Sequence, residues 1–464
     1  MGRKFMLLIK NGLVVGETGS ARADVRAEGE IIAEIGGSLV PRDGEQVIDA
    51  SGMIVIPGGV DAHTHMDLDL GSVRATDDFF TGTAAAACGG TTTIVDHMAF
   101  GPRGCSIKRQ LDAYHGLAEG KAVVDYSFHG VLDHVDDAIL EEVESLIGEG
   151  ITSHKIYMTY DGKVTDDEIA KLFERTSELG VLVAVHAEND RAIAHLREKL
   201  LAQGKTAPAF HAKSRPPVCE SEAVGRVAEI ARELGDAPLY IVHLSSYYGL
   251  IAVEGARARE QKNLFVETCP QYLFLDESLY KGEDALKYTM SPPLRGRIDC
   301  KHLWGAVSDG GVDVVATDHC PFYYSKEKQL GKDDFTKAPG GIPGVEARIP
   351  LMFSATREGK LSPERFVSLC CANPARLFGL YPKKGVIAVG SDADIVIIDP
   401  GFEGTLTHGM LHENCDYTPY EGLPLRGYPI MTISRGEVIA RDGLFTGSKG
   451  RGRFLRRDAP IPAH

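Results

Sequence analysis

Short apolar runs broken by Gly, Asn, Asp and Pro open the chain. Phe5–Ile9, Leu13–Val15, Ile31–Ile35 and Met53–Ile56 have the length and punctuation of β-strands. The same texture returns near the other end, at Val386–Val389, Ile395–Ile398, Ile430–Ile433 and Val438–Ala440. There the stretch from Gly385 to Pro400 reads as two strands around a Gly-Ser-Asp-Ala-Asp turn. Strand-rich ends around a different middle predict one small β-sandwich domain formed from both chain ends, residues 1–56 plus 383–445, followed by a C-terminal tail at 446–464.

In the middle, 57–382, eight apolar runs alternate with helical patterns. The runs are Gly59–Ala62, Thr92–Asp96, Val123–Phe128, Ser153–Met158, Leu182–Val185, Leu239–Val242, Leu264–Glu267 and Val312–Thr317. Asp78–Cys88, Asp137–Ile147, Asp166–Leu179, Glu220–Leu234 and Tyr248–Gln261 are among the helical stretches between them. Strand-then-helix units repeated over about 320 residues predict an α/β fold, a TIM-like (β/α)₈ barrel. A doubly wound open sheet is the competing architecture, but no G-x-G-x-x-G or Walker loop follows any run.

Composition narrows the picture. With 464 residues, 43% hydrophobic and 25% charged, the chain can bury an ample core without disulfides. The net charge of −15 disfavours nucleic acid as a partner. Nine scattered cysteines without a Cys-x-x-Cys pair suit a reducing cytoplasm. No run approaches a membrane span or a signal peptide, so a cytoplasmic location is expected.

Barrel enzymes carry their chemistry where strands end. The first run ends in Asp61-Ala62-His63-Thr64-His65, the fourth contains Lys155, the fifth and sixth end in His186 and His243, and the eighth ends in Asp318-His319. His63 and His65 are i and i+2 on a strand, so both side chains reach one ion. A single histidine at a strand end is more often a hydrogen-bonded structural residue; the combination points to a metal site. A lysine inside a barrel strand is costly unless paired or neutral. Lys155 could pair with a carboxylate or bind substrate as an ammonium. It could also react with CO₂ to form a carbamate, an anionic ligand able to bridge two cations. Imidazole and carboxylate donors suit zinc, with manganese, cobalt or iron as alternatives.

Gly58 to His65, the Lys155 strand and Val315-Ala316-Thr317-Asp318-His319 resemble the cyclic amidohydrolase superfamily. Cys269-Pro270-Gln271-Tyr272, Ser291-Pro292-Pro293-Leu294-Arg295 and Pro343-Gly344-Val345-Glu346 resemble its dihydropyrimidinase/hydantoinase branch. Asp77 to Pro102 and Gly450 to Arg457 are most similar to the D-phenylhydantoinase group. The resemblance spans essentially the whole chain.

It implies two divalent ions, one held by His63, His65 and Asp318 and the other by His186 and His243. N6-carboxylysine at Lys155 and a hydroxide would bridge them. The hydroxide would attack the ring carbonyl, Tyr160 would donate to the oxyanion, and Asp318 would carry the proton to the leaving nitrogen. The backbone of Ser291 would hold the ring amide, with Gly340 standing where the family usually has Asn. Leu70 and Tyr157 would line the pocket for the exocyclic substituent; Val164 is balanced between that role and ordinary packing. The resemblance also implies a homotetramer. The basic tail is expected to be solvated or to contact another subunit.

Dihydroorotases of the superfamily place Arg two residues after the second histidine, where this chain has Asp67. An acid there would repel a substrate carboxylate, which favours an uncharged cyclic amide or ureide. The expected reaction is therefore hydrolysis of 5-substituted, phenylhydantoin-like hydantoins to N-carbamoyl amino acids. Dihydropyrimidinase action on dihydrouracil or dihydrothymine is the alternative, with allantoinase or dihydroorotase activity ranked lower. A non-catalytic dihydropyrimidinase-like adaptor comes last, because all six candidate ligands are present.

Overall fold

The computed structural model describes residues 6–458. Phe5 of the first expected run, and 459–464 of the tail, lie outside them.

The middle of the chain forms eight parallel strands in sequence order around a barrel. They are β1 (Gly59–Thr64), β2 (Thr91–His97), β3 (Asp125–Val131), β4 (Ser153–Tyr157), β5 (Leu182–His186), β6 (Leu239–Ile241), β7 (Leu264–Thr268) and β8 (Val314–Val315). The eighth is shorter than the run Val312–Thr317. The barrel closes beyond it through the parallel bridge between Thr64 and His319 and the His65 N–H donating to the His319 carbonyl at 2.9 Å. Residues on or just beyond β1, β2, β5, β6 and β8 fill the lumen: Val60, Ala62, Val95, Leu182, Ala184, Tyr240, Val242, Val314 and Ala316 form one buried cluster.

Both chain ends contribute to a nine-stranded mixed sheet. Ile54–Pro57 is the seam: it runs parallel to Met6–Val15 and antiparallel to Ile395–Thr405. Leu7, Ile9, Val25, Ile32, Val55, Ile395, Ile397 and Ile433 form the core of this part. The first two expected runs are one strand, Met6–Val15, whose register shifts between Ile9 and Gly12; Asn11 there has φ 64°. Val386–Val389, expected as a strand, is irregular. Gly385 and Gly390 on either side have φ of 78° and 94°, which turns the backbone out of any extended path. Only the second half of that expected hairpin, from Ile395, is a strand.

The basic tail is not a solvated arm over its described part. Leu455 joins the cluster in the barrel lumen, and the Phe454 ring stacks 5.6 Å from that of Phe128. Arg457 is fully buried, donating to Ser127 Oγ at 2.9 Å, Ser153 Oγ at 2.8 Å and the Phe128 carbonyl at 2.5 Å. Apolar residues interleaved with the basic ones explain the docking: Phe454 and Leu455 gain burial while arginine finds acceptors on β3 and β4.

Among the described residues, no helix is long and apolar enough to cross a membrane.

Candidate active site

The strand ends deliver the expected side chains to one place. His63 Nε2 and His65 Nε2 lie 3.0 and 3.1 Å from Asp318 Oδ1. Across the mouth, His186 Nδ1 faces His243 Nε2 at 2.9 Å. The rings of His63 and His243 are 5.5 Å apart, so the two groups adjoin. Tyr160, His243 and Asp318 have φ of 73°, 41° and 54°, a left-handed backbone that non-glycine residues adopt at a cost. In each case the residue lies just beyond a strand, where the chain must turn while keeping its side chain over the barrel axis.

The donors are prepared from behind by residues that sequence reasoning missed. His63 Nδ1 lies 2.7 Å from Glu267 Oε1, whose Oε2 accepts from the Tyr240 hydroxyl at 2.9 Å. His186 Nε2 lies 2.8 Å from Glu188 Oε2, which Arg215 also holds at 2.5 Å. With the outer nitrogen of each ring committed, the tautomers are set and His63 Nε2 and His186 Nδ1 are left to face the centre. Glu267 was visible as the end of the seventh run. Glu188 and Arg215 carry no signal in the sequence that separates them from ordinary charged residues.

Burial drives the electrostatics. It pulls His65 down and His243 well below the usual imidazole range, leaving neutral rings with lone pairs to offer. Burial opposes the change at His63, but Glu267 and Asp318 raise it to about 9. Burial likewise works against Asp318, yet His63 and His65 hold it well below the usual carboxylate range. Lys155 is 1% exposed and burial lowers its amine to about 8; neither a hydrogen bond nor an ion pair reaches its Nζ among the described residues. The Lys155 charge bears on His63, His65, His186 and His243, members of both groups.

These residues fit divalent ions. His63, His65 and Asp318 offer three ligand atoms within 4.8 Å of one another. His186 Nδ1 and His243 Nε2 lie within hydrogen-bond reach of each other, close enough for one cation to take both lone pairs in place of a shared proton. A second trio with suitable donor types, Cys88, Glu346 and His412, is satisfied internally: Glu346 accepts the His412 backbone N–H at 2.6 Å and faces His412 Nδ1 at 2.8 Å.

The expected substrate contacts surround the mouth unevenly. Tyr160 is 38% exposed, its ring 5.2 Å from that of His186 and 5.0 Å from the Arg215 guanidinium. Desolvation raises its phenol, with Arg215 opposing, so the group stays protonated and can donate. Tyr157 stacks on His186 at 5.6 Å and meets Phe100 at 5.2 Å, an aromatic neighbour that was not foreseen. Leu70 is 49% exposed, whereas Val164 is buried in the main core. Ser291 and Gly340 adjoin: a Cβ built on Gly340 would lie 4.0 Å from the Ser291 nitrogen. Asp67 does not aim a charge at incoming substrate. It is buried in its own loop and accepts from the Phe79 N–H at 3.3 Å. Position 67 offers no guanidinium to a substrate carboxylate.

The chain matches the amidohydrolase family over residues 54–439, and it belongs to that family. It is 52% identical over 457 residues to the D-phenylhydantoinase of Escherichia coli O81 (strain ED1a), covering 98% of this chain and 99% of the relative. The dihydropyrimidinase of Brevibacillus agri NCHU1002 superposes with a TM-score of 0.96 at 42% identity, covering 98% of this chain and 100% of that one. A D-hydantoinase from Bacillus sp. AR9 does so with a TM-score of 0.94 at 43% identity, covering 97% and 99%. The enzyme is a cyclic amide hydrolase.

Proposed function

We propose that the chain opens 5-substituted hydantoins, with phenylhydantoin-like rings foremost, to N-carbamoyl amino acids at a binuclear divalent centre. The observation that carries this reading is the convergence of His63, His65 and Asp318 on one point beside the facing pair His186 and His243. His63, His65 and Asp318 would hold one ion and His186 and His243 the other, with carboxylated Lys155 as the shared anionic ligand. Zinc suits this donor set; manganese, cobalt and iron are the alternatives. When bound, such a pair supplies a hydroxide at neutral pH and polarises a carbonyl.

The protein's own groups do the rest. The Ser291 backbone and the adjoining Gly340 hold the ring amide and orient its carbonyl. Tyr160, kept protonated, donates to the oxygen as charge develops on it. Asp318 accepts a proton and delivers it to the ring nitrogen, which must be protonated to leave. Leu70, Tyr157 and Phe100 offer an apolar, aromatic wall for the exocyclic group. A cytoplasmic location suits nine free cysteines, and the homotetramer is what the family resemblance implies.

Dihydrouracil is the second candidate substrate, favoured by the close superposition on a protein named dihydropyrimidinase. Comparing rates on D- and L-phenylhydantoin, dihydrouracil, allantoin and dihydroorotate tests the assignment. Phenylhydantoin is expected to be fastest. Turnover of dihydroorotate alone would overturn the reading.

A further inference from the structure

Two backbone segments meet beside the candidate ring contacts. The Gly341 N–H donates to the Thr289 carbonyl at 3.1 Å, and Gly340 adjoins Ser291 without a side chain to anchor it. Side chains from elsewhere grip the same strip. Lys328, in the short turn Glu327–Gly331, is fully buried; its Nζ donates to the Thr289 carbonyl at 2.7 Å and to the Pro339 carbonyl at 2.9 Å. His211, in the short helix Phe210–Ser214, is also buried, with Nε2 at 2.8 Å from the Met290 carbonyl. The carbonyls of residues 289 and 290 are thus both held, and one amine spans 289 and 339.

We propose that Lys328 and His211 are positioning residues that brace the 289–291 backbone against 339–341 and so fix how the ring amide is read. The inference rests on the proposed roles of Ser291 and Gly340.

Three points support it. The first is cost. An amine buried without a carboxylate partner is expensive to place: burial lowers Lys328 to about 7, and the Cys320 and Cys415 thiols that face it are kept protonated and neutral by their own burial. A role limited to filling space would be met by methionine. The second is geometry. The Met290 carbonyl and the Ser291 N–H belong to one peptide plane, so a bond from His211 fixes the direction of that N–H and strengthens it as a donor. The third is flexibility. Gly341 has φ 143° and Gly340 has no Cβ, so the second segment has little rigidity of its own and depends on outside ties, the Lys328–Pro339 bond before the glycines and the Gly341–Thr289 and Cys320–Ile342 bonds at and beyond them.

Contacts made equally to substrate and transition state govern KM rather than kcat. In Lys328→Met, the KM for phenylhydantoin should rise about tenfold while kcat stays within about threefold. Bound metal should remain at the wild-type level. Lys328→Gln, which retains a donor amide, should recover part of the loss, and His211→Gln should be milder than His211→Leu. Hydrogen exchange on the ligand-free protein gives a readout independent of turnover: the Gly341 amide should exchange faster in Lys328→Met. Should that variant not accumulate as folded protein, Lys328→Gln carries the same measurements. An unchanged KM overturns the proposal, as does a loss confined to kcat with metal released. If the wild-type protein opens none of the rings tested, the functional reading fails, and the exchange data alone decide whether the brace exists.

Discussion

Lys155 shows how a residue type and its surroundings combine. An ordinary lysine at 10.5 is about 0.03% neutral at pH 7, whereas one lowered to about 8 is about 10% neutral. Only the neutral amine attacks CO₂. Recovery of activity from metal-stripped protein, at fixed dissolved CO₂, should therefore accelerate about tenfold from pH 6 to pH 7 and level off above pH 8. A rate that keeps climbing through pH 10 would mean an unshifted lysine. Lys155→Ala should abolish activity, and short carboxylic acids should partly restore it by standing in for the anion. Glu267→Gln keeps the shape behind His63 but removes the charge, so metal affinity in a chelator competition should fall by about 10- to 100-fold. The six candidate ligands were legible because each joins a chemically informative type to a strand end. Lys328 was not, because its partners are backbone carbonyls that carry no residue identity, brought in from positions 289 and 339.

Elements were readable where periodicity is local. The parallel strands and their helices follow from apolar runs and helical patterns that need no knowledge of distant chain. Asp78–Cys88 begins later than its pattern, at Thr81, because the Asp78 carboxylate accepts the Phe80 and Thr81 N–H groups and ends the preceding loop. The docking of the tail is not legible in the sequence because its charges dominate its text, while its acceptors are on β3 and β4, roughly 300 residues earlier. Arg457→Ala would leave Ser127, Ser153 and the Phe128 carbonyl without that donor. It should lower stability by about 3 kcal/mol, read as a drop in thermal midpoint.

At the scale of the whole molecule, barrel and end sheet are fastened by buried charge. Lys384 Nζ lies 2.7 Å from Asp125 at the start of β3, and 2.9 and 2.8 Å from Asp392 and Asp394 beside the sheet. Arg435 joins Asp125 at 3.0 Å and Glu30 at 2.9 Å. Removing one member strands the others, so Lys384→Met should cost about 3–5 kcal/mol. Asp125 is at the opposite end of its strand from the mouth, so kcat and KM measured well below the unfolding transition should hardly move. A parallel loss of catalysis would show that the two ends are coupled. The sequence pattern predicted that both termini share a domain, but not this fastening, because nothing marks Lys384 or Arg435 apart from the other cations.

The docked tail has a consequence for how the protein is made. Leu455 and Arg457 complete the floor of a barrel whose first strands were synthesised some four hundred residues earlier, and the seam strand Ile54–Pro57 waits for Ile395–Thr405. Until Leu455 and Arg457 have docked, the lumen cluster lacks its cover. A product truncated ahead of Phe454 is therefore left with an open base for quality control to recognise.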